Sequence, residues 1–278
     1  MRTFFLLACL LLPYCLLQAH EPKEKEKSTG DSALRVLVYS NTADYRHPEI
    51  PAINRWLVLT GDKHGMEVDV TEHWKDLQKE SLEKYQVLVL NNSNALNEVI
   101  PEKQRDEIER WFKAGNGIVA LHAGLVRQQK WEWLSNLGGC DFDSDSDFLK
   151  AKLMVDPAAK DHPAVAGQPA EFWYTADWTN HDRSVTGMPG IQVLLRIDES
   201  TYEPVRDLFK ELGGKPMGKD HPIAWTNTSQ GGRFLYTQLG HDVRSLDTEF
   251  GTRHVMNAIH WSAEKSPTLV KKKGDAGE

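Results

Sequence analysis

Histidine is the residue type with the most chemistry to offer in this chain. His47, His122 and His241 each fall just after a short apolar run rich in strand formers, at Leu34–Ser40, Gly117–Leu121 and Gly232–Thr237. Neutral imidazole binds divalent metals, and its proton exchanges near neutral pH, so these groups suit either metal ligation or general acid–base work. They are far apart in sequence, so no short spacing motif joins them. Only a fold that gathers strand ends could. A divalent metal such as zinc, held by His47, His122 and His241, would polarise a carbonyl or acidify a bound water. Without metal the same rings could act as acid and base. The sequence leaves that choice, and the cofactor, open. Asp177 or Asp145 can add an oxygen ligand or a base, and Asp177 is taken as the carboxylate partner. Asn92, Tyr45, Arg46 and Trp178 are candidate contacts for a bound molecule, the tryptophan because indole stacks well on apolar ring faces. His162 and His221 sit in twin Asp-His-Pro segments; the first reads as a turn, the second as a strand start that could face the site. The acidic alternation Asp141–Asp147 lacks the glycine and glutamate of a calcium loop and reads as a polar loop.

The elements that would position these residues alternate. Leu34–Ser40 is a first strand, and helical spacing follows over Glu49–Leu59, with Gly61 near its end. Met66–Thr71 is a second strand. Gln86–Leu90 is continuously apolar, as a strand covered on both faces should be. Pro101–Ala114 is the clearest helix, stopped by Gly115, and Gly117–His122 is a fourth strand. This β-α-β-α-β-α-β order predicts a parallel sheet with helices on both faces. Further strands are expected at Ala151–Val155, Ile191–Ile197, Ile223–Thr226 and Gly232–Thr237, and a last helix at about 248–263. Trp131 and Trp133 are assigned to a short helix over the rim of the site. Open α/β sheets bind ligands beyond the carboxyl ends of their strands, which is where the three histidines, Asn92 and Tyr45-Arg46 fall.

The charge balance, 33 basic against 40 acidic residues for a net −7, shows no basic stripe and argues against nucleic acid as a partner. Residues 1–19 have the layout of a signal peptide cleaved near Ala19, so a secreted or periplasmic protein is expected, with no membrane span. Lipid attachment at Cys15 is disfavoured by Tyr14, which stands where a small residue is needed. Residues 20–33 read as a flexible charged leader, 34–264 as one domain and 265–278 as a disordered tail. Of three cysteines, only Cys140 would remain after cleavage, so no internal disulfide is implied.

The Gly117–Gly124 segment has the outline of a strand-to-helix elbow, the place where class I glutamine amidotransferases carry their nucleophile. Here His122 fills the slot, and Cys140 is too far downstream to replace a thiol, so glutamine amidotransferase chemistry is not expected. Tyr45-Arg46-His47, Gly115–Ala123, Asp161-His162-Pro163, Asp198–Tyr202, Asp220–Trp225 and Leu239-Gly240-His241 occur in an order that resembles the ThuA-like (trehalose-utilisation) family, across nearly all of 34–263. The resemblance implies a flavodoxin-like, class I glutamine amidotransferase-like three-layer sandwich with a mostly parallel central sheet. It also implies a role in carbohydrate catabolism, with a sugar or oxidised (3-keto) sugar as substrate. Two departures stand out. Asp145 occurs where the family has a histidine after Gly138-Gly139-Cys140-Asp141-Phe142, and Ala176-Asp177-Trp178-Thr179 replaces an Asp-Glu-Trp-Tyr segment. The expected function is a hydrolase, lyase or isomerase. Its rivals are a non-catalytic carbohydrate-binding or scaffold protein on the same fold and a structural partner of a sugar oxidoreductase. The oligomeric state, a homo-oligomer included, is left open.

Overall fold

The computed structural model describes residues 33–264. The expected signal peptide, almost all of the leader and the tail lie outside the described residues. Among the described residues no helix is long and apolar enough to cross a membrane.

One nine-stranded sheet runs through the domain. Its parallel half comprises β1 (Leu34–Tyr39), β2 (Met66–Thr71), β3 (Val87–Asn91) and β4 (Gly117–Leu121), in the spatial order β2-β1-β3-β4. The strand nearest the C-terminus, β11 (Arg233–Thr237), joins in parallel beside β4. Beyond it β10 (Pro222–Asn227), β9 (Ile191–Asp198), β6 (Leu149–Val155) and β7 (Glu171–Ala176) continue antiparallel. A separate small ribbon pairs β5 (Phe142–Asp145) with β8 (Thr179–His181). The mixed α/β sandwich is thus the expected one, with its parallel half the legible part.

Strand alternation divides the core. Val36 and Val38 face one side with Ile53, Leu57, Val255 and Ile259 from the Ile50–Lys63 and Glu249–Ala263 helices. Leu37 and Tyr39 face the other with Ile108, Trp111 and Phe112 from the Glu102–Lys113 helix. The first helix does not stop near Leu59. It continues through Gly61, whose missing Cβ would lie 2.6 Å from Val68 Cγ2, so this glycine brings the helix down on β2 rather than ending it. The last helix is capped by Thr248, whose hydroxyl accepts from Gly251 N at 2.9 Å.

Two sequence expectations need correction. Trp131 and Trp133 do not cover the histidine rim: they pack with the Ile108 and Leu134 side of the core. β5, β7 and β8 were not anticipated, because β8 has three residues and β7 is an edge strand that shows no fully buried position before Ala176. Edge strands lack the continuous apolar run that marks a central one.

Candidate active site

The strand order places the reversal of winding between β1 and β3, and the side chains that cluster lie at the carboxyl ends of β1, β3, β4 and β11. His47 sits in the loop after β1, where its carbonyl accepts from Ile50 N at the start of the first helix. His122 directly follows β4, in a left-handed conformation with φ +46°. For a residue with a Cβ that conformation costs on the order of 1 kcal/mol, and it lifts the imidazole out of the strand line into the site. Gly124, two residues on, packs where a Cβ would lie 2.8 Å from Leu90 O, so it serves close backbone packing rather than ligand approach. His241 follows β11 through Gly240, at φ +116°.

These three rings meet. Centroid separations are 5.0 Å for His47–His122, 5.0 Å for His47–His241 and 4.7 Å for His122–His241. One ligand atom from each lies within 4.8 Å of the other two, a spacing that a single divalent ion can bridge after small rotations. His47 and His122 are buried, and the Nδ1 of each has no hydrogen-bond partner among the described residues.

Asp177, in the bend between β7 and β8, is the shared carboxylate. Its Oδ2 accepts from His241 Nδ1 at 2.7 Å and lies 3.5 Å from His122 Nδ1. The bend is pinned from both sides: Trp178 N donates to Ser146 Oγ (2.9 Å), and Ser146 N donates to Trp178 O (2.9 Å). That tie also brings in Asp145, the residue at the family-pattern departure. Asp145, Asp177 and His241 form a second group of candidate ligand atoms within 4.8 Å. Arg206, on the irregular stretch before the Asp207–Glu211 helix, completes the cluster. Its Nε is 2.5 Å from Asp145 Oδ1, and its backbone N donates to Asp145 O at 2.9 Å. Nothing in the sequence singled out Arg206.

The electrostatics follow from this packing. Burial, reinforced by the neighbouring imidazoles, pushes His47 down to about 3, and burial pushes His122 down to about 4 against the pull of Asp177. Both rings are therefore neutral with lone pairs available. For His241 burial also opposes charge, but the Asp177 hydrogen bond and charge outweigh it and raise its pKa. Asp177 is held below the usual carboxylate range by His122 and His241 in spite of its burial. Burial drives Asp145 up to about 7, with Arg206 pulling the other way.

The remaining candidates separate. Tyr45 is 62% exposed at the mouth, its ring edge-on to His47 at 4.8 Å. Asn92 is buried; its amide nitrogen donates to Asn91 Oδ1 (2.9 Å) and Gly240 O (2.8 Å), so it ties the end of β3 to the loop of His241 rather than reaching a ligand. Arg46 turns outward to Glu72 (2.5 Å) and Ser40 O, away from the rings. Trp178 is not a stacking surface. It is wholly buried, its indole N–H donating to Leu149 O at 3.1 Å. The signal misread there was its polar neighbours: Asp177 and Thr179 are themselves buried. His162 makes the expected turn, its Nδ1 accepting from Ala164 N. His221 lies behind the site, bonded to Glu199 (2.7 Å) and Thr179 O (2.8 Å).

A family model described as ThuA, trehalose utilisation, matches residues 35–262. The chain belongs to the ThuA family. Among solved structures it is similar to a putative ThuA-like protein from Bacteroides uniformis, at 20% identity and a TM-score of 0.71 over 88% of this chain and 98% of that one. It is also similar to a putative ThuA-like protein from Parabacteroides merdae, at 18% identity and a TM-score of 0.61 over 85% and 92%. A cytoplasmic protein from Salmonella typhimurium shares the fold at 13% identity and a TM-score of 0.54, over 83% of this chain and all of that one. A search of curated proteins returns no match. ThuA membership suggests a role connected with carbohydrate utilisation.

Proposed function

We propose that this ThuA-family chain is an exported enzyme of carbohydrate catabolism whose His47, His122 and His241 hold a divalent metal such as zinc and whose substrate is a sugar or a keto sugar. The observation that carries the reading is the convergence of three imidazoles from three distant segments, with ring nitrogens of His47 and His122 buried and unpartnered. Buried polar atoms without partners are costly, and a shared cation would satisfy several at once.

The donor set fits a borderline metal: three nitrogens, with an ordering carboxylate behind them. Asp177 takes the Nδ1 hydrogen of His241 and so leaves the Nε2 lone pair of that ring free, the arrangement that fixes a ligating imidazole. A metal in this position would act as a Lewis acid on a sugar carbonyl or acidify a bound water. Around it, Asp177 lies against the His241 and His122 rings, the left-handed turn sets the direction of His122, and His47 meets both rings edge-on beside the exposed Tyr45.

The test is elemental analysis of the purified protein after dialysis against zinc, followed by incubation with trehalose and its 3-keto derivative. Stoichiometric metal and product formation are expected, both lost in His122→Ala. Metal-free wild type, or an unaltered His122→Ala, would sink the reading. N-terminal sequencing of the mature protein checks export: cleavage near Ala19 is expected.

A further inference from the structure

We infer that Asp145 and Arg206 are the sugar-gripping half of this site, a donor–acceptor pair that holds adjacent hydroxyls of a pyranose ring while the histidines face its reacting carbon. The inference rests on the carbohydrate reading above and assigns the substrate contacts within it.

Position comes first. Asp145 has a carboxylate oxygen within 4.8 Å of the candidate ligand atoms of Asp177 and His241, so a molecule seated on the His241 imidazole lies beside it. Access comes second. The His47, His122, Asp145 and Asp177 side chains are nearly closed off, whereas His241 keeps 29% of its side-chain surface and Arg206 keeps 34%. The open lip of the cluster therefore runs along His241 and Arg206, and an entering molecule crosses the guanidinium.

The unmet hydrogen bonds point to the kind of molecule. Among the described residues Asp177 Oδ1 is a buried acceptor with no hydrogen-bond donor, and Asp145 Oδ1 has only its ion-pair contact with Arg206 Nε. Arg206 touches Asp145 Oδ1 through Nε at 2.5 Å, but this contact lacks hydrogen-bond geometry; only Nη2 donates, to Oδ2 at 3.2 Å. Nη1 makes no hydrogen bond among the described residues. A group that fits must donate to carboxylate oxygens and accept from a guanidinium at neighbouring positions. Adjacent hydroxyls do both. An anionic substituent would satisfy Arg206 but leave Asp145 and Asp177 facing like charge, so a neutral polyol is the better match.

Asp145 and Arg206 are joined twice, side chain to side chain and Arg206 N to Asp145 O at 2.9 Å, so the carboxylate sits on a backbone tie rather than on a free loop.

The experiment measures binding of methyl α-glucoside and trehalose, with their 2-deoxy and 4-deoxy analogues, to the zinc-loaded protein and to Arg206→Met and Asp145→Asn. A site built to bond a hydroxyl rejects the analogue that lacks it. We expect wild type to lose about 10-fold or more in affinity for one of the deoxy sugars. In the two variants the parent sugar should weaken by a similar factor and the deoxy penalty should vanish, with zinc content unchanged. Undiminished sugar affinity in Arg206→Met overturns the assignment. So does loss of zinc together with sugar, which would make the pair a scaffold for the metal. Wild type that discriminates no deoxy analogue overturns it as well. Should wild type hold no zinc yet show the deoxy penalty, the grip stands and the metal reading falls.

Discussion

At the scale of single residues, a buried imidazole can keep a lone pair only where protonation is made unfavourable; His47 meets that condition through burial and the two neighbouring imidazoles, His122 through burial and His241. His241 differs because Asp177 accepts its Nδ1 hydrogen. Asp177→Asn keeps the size of the side chain but removes the charge that orients this ring. The expected outcome is zinc affinity lower by about 10- to 100-fold with an unchanged fold, read by competition with a chromophoric chelator. At His122 the backbone itself is a variable, since φ is +46°. Asparagine tolerates the left-handed region better than alanine. His122→Asn should therefore fold at least as well as His122→Ala in thermal melts while being equally unable to turn over substrate. That result separates the chemistry of the ring from the strain of the turn.

At the scale of elements, the site depends on a buried clamp behind it. Gln238, at the end of β11, accepts from Thr179 N at 3.1 Å and donates to Thr179 O at 2.6 Å. His221 faces the same carbonyl at 2.8 Å and Glu199 at 2.7 Å. Its two ring nitrogens thus face a carboxylate and a backbone carbonyl. Glu199 also accepts from Met217 N and Gly218 N. These bonds fix β8 two residues beyond Asp177. Glu199→Ala should lower unfolding free energy by about 1–3 kcal/mol in urea titrations, because it leaves a buried ring nitrogen and two backbone amides without their acceptor. Trp178→Ala should cost about 3–5 kcal/mol, as a core truncation; a sugar-stacking residue would instead change affinity and spare stability. The parallel half of the sheet was legible because β1, β3 and β4 are apolar runs between clear helices, and the strand-end rule then located His47, His122 and His241. Arg206 was not legible: it lies on an irregular stretch, and only the Asp145 pairing gives it meaning. Trp178 misled because a bend lined with Asp177, Thr179 and Asn180 looks solvated in sequence, although all three are buried, Asp177 against His241, Thr179 against Gln238 and Asn180 against Ser144.

At the scale of the whole molecule, buried histidines outside the site tie stability to pH. Burial pushes His181 down to about 3 and His254 down to about 4. His254 is satisfied as a neutral ring, donating to Ala164 O at 2.8 Å and accepting from Thr237 Oγ1 at 3.0 Å. In the unfolded chain both take up a proton below about 6.5, whereas the folded protein does not until near 4 or 3. The sign follows: these two groups add nothing to pH dependence above 7, and stability falls as pH drops from about 6.5 towards 4. The slope is roughly 1 kcal/mol per pH unit for each ring. Urea midpoints measured at pH 7, 6 and 5 should decrease in that order, and His254→Gln should flatten the decline.

The sheet order carries one more consequence. β11 is the last strand among the described residues, yet it is wedged between β4 and β10 and there forms the seam between the parallel and antiparallel halves. A nascent or truncated polypeptide that ends before it would present two raw strand edges in mid-sheet and would lack His241 altogether. Copies cut short before β11 would therefore be prone to stick to one another through those bare edges.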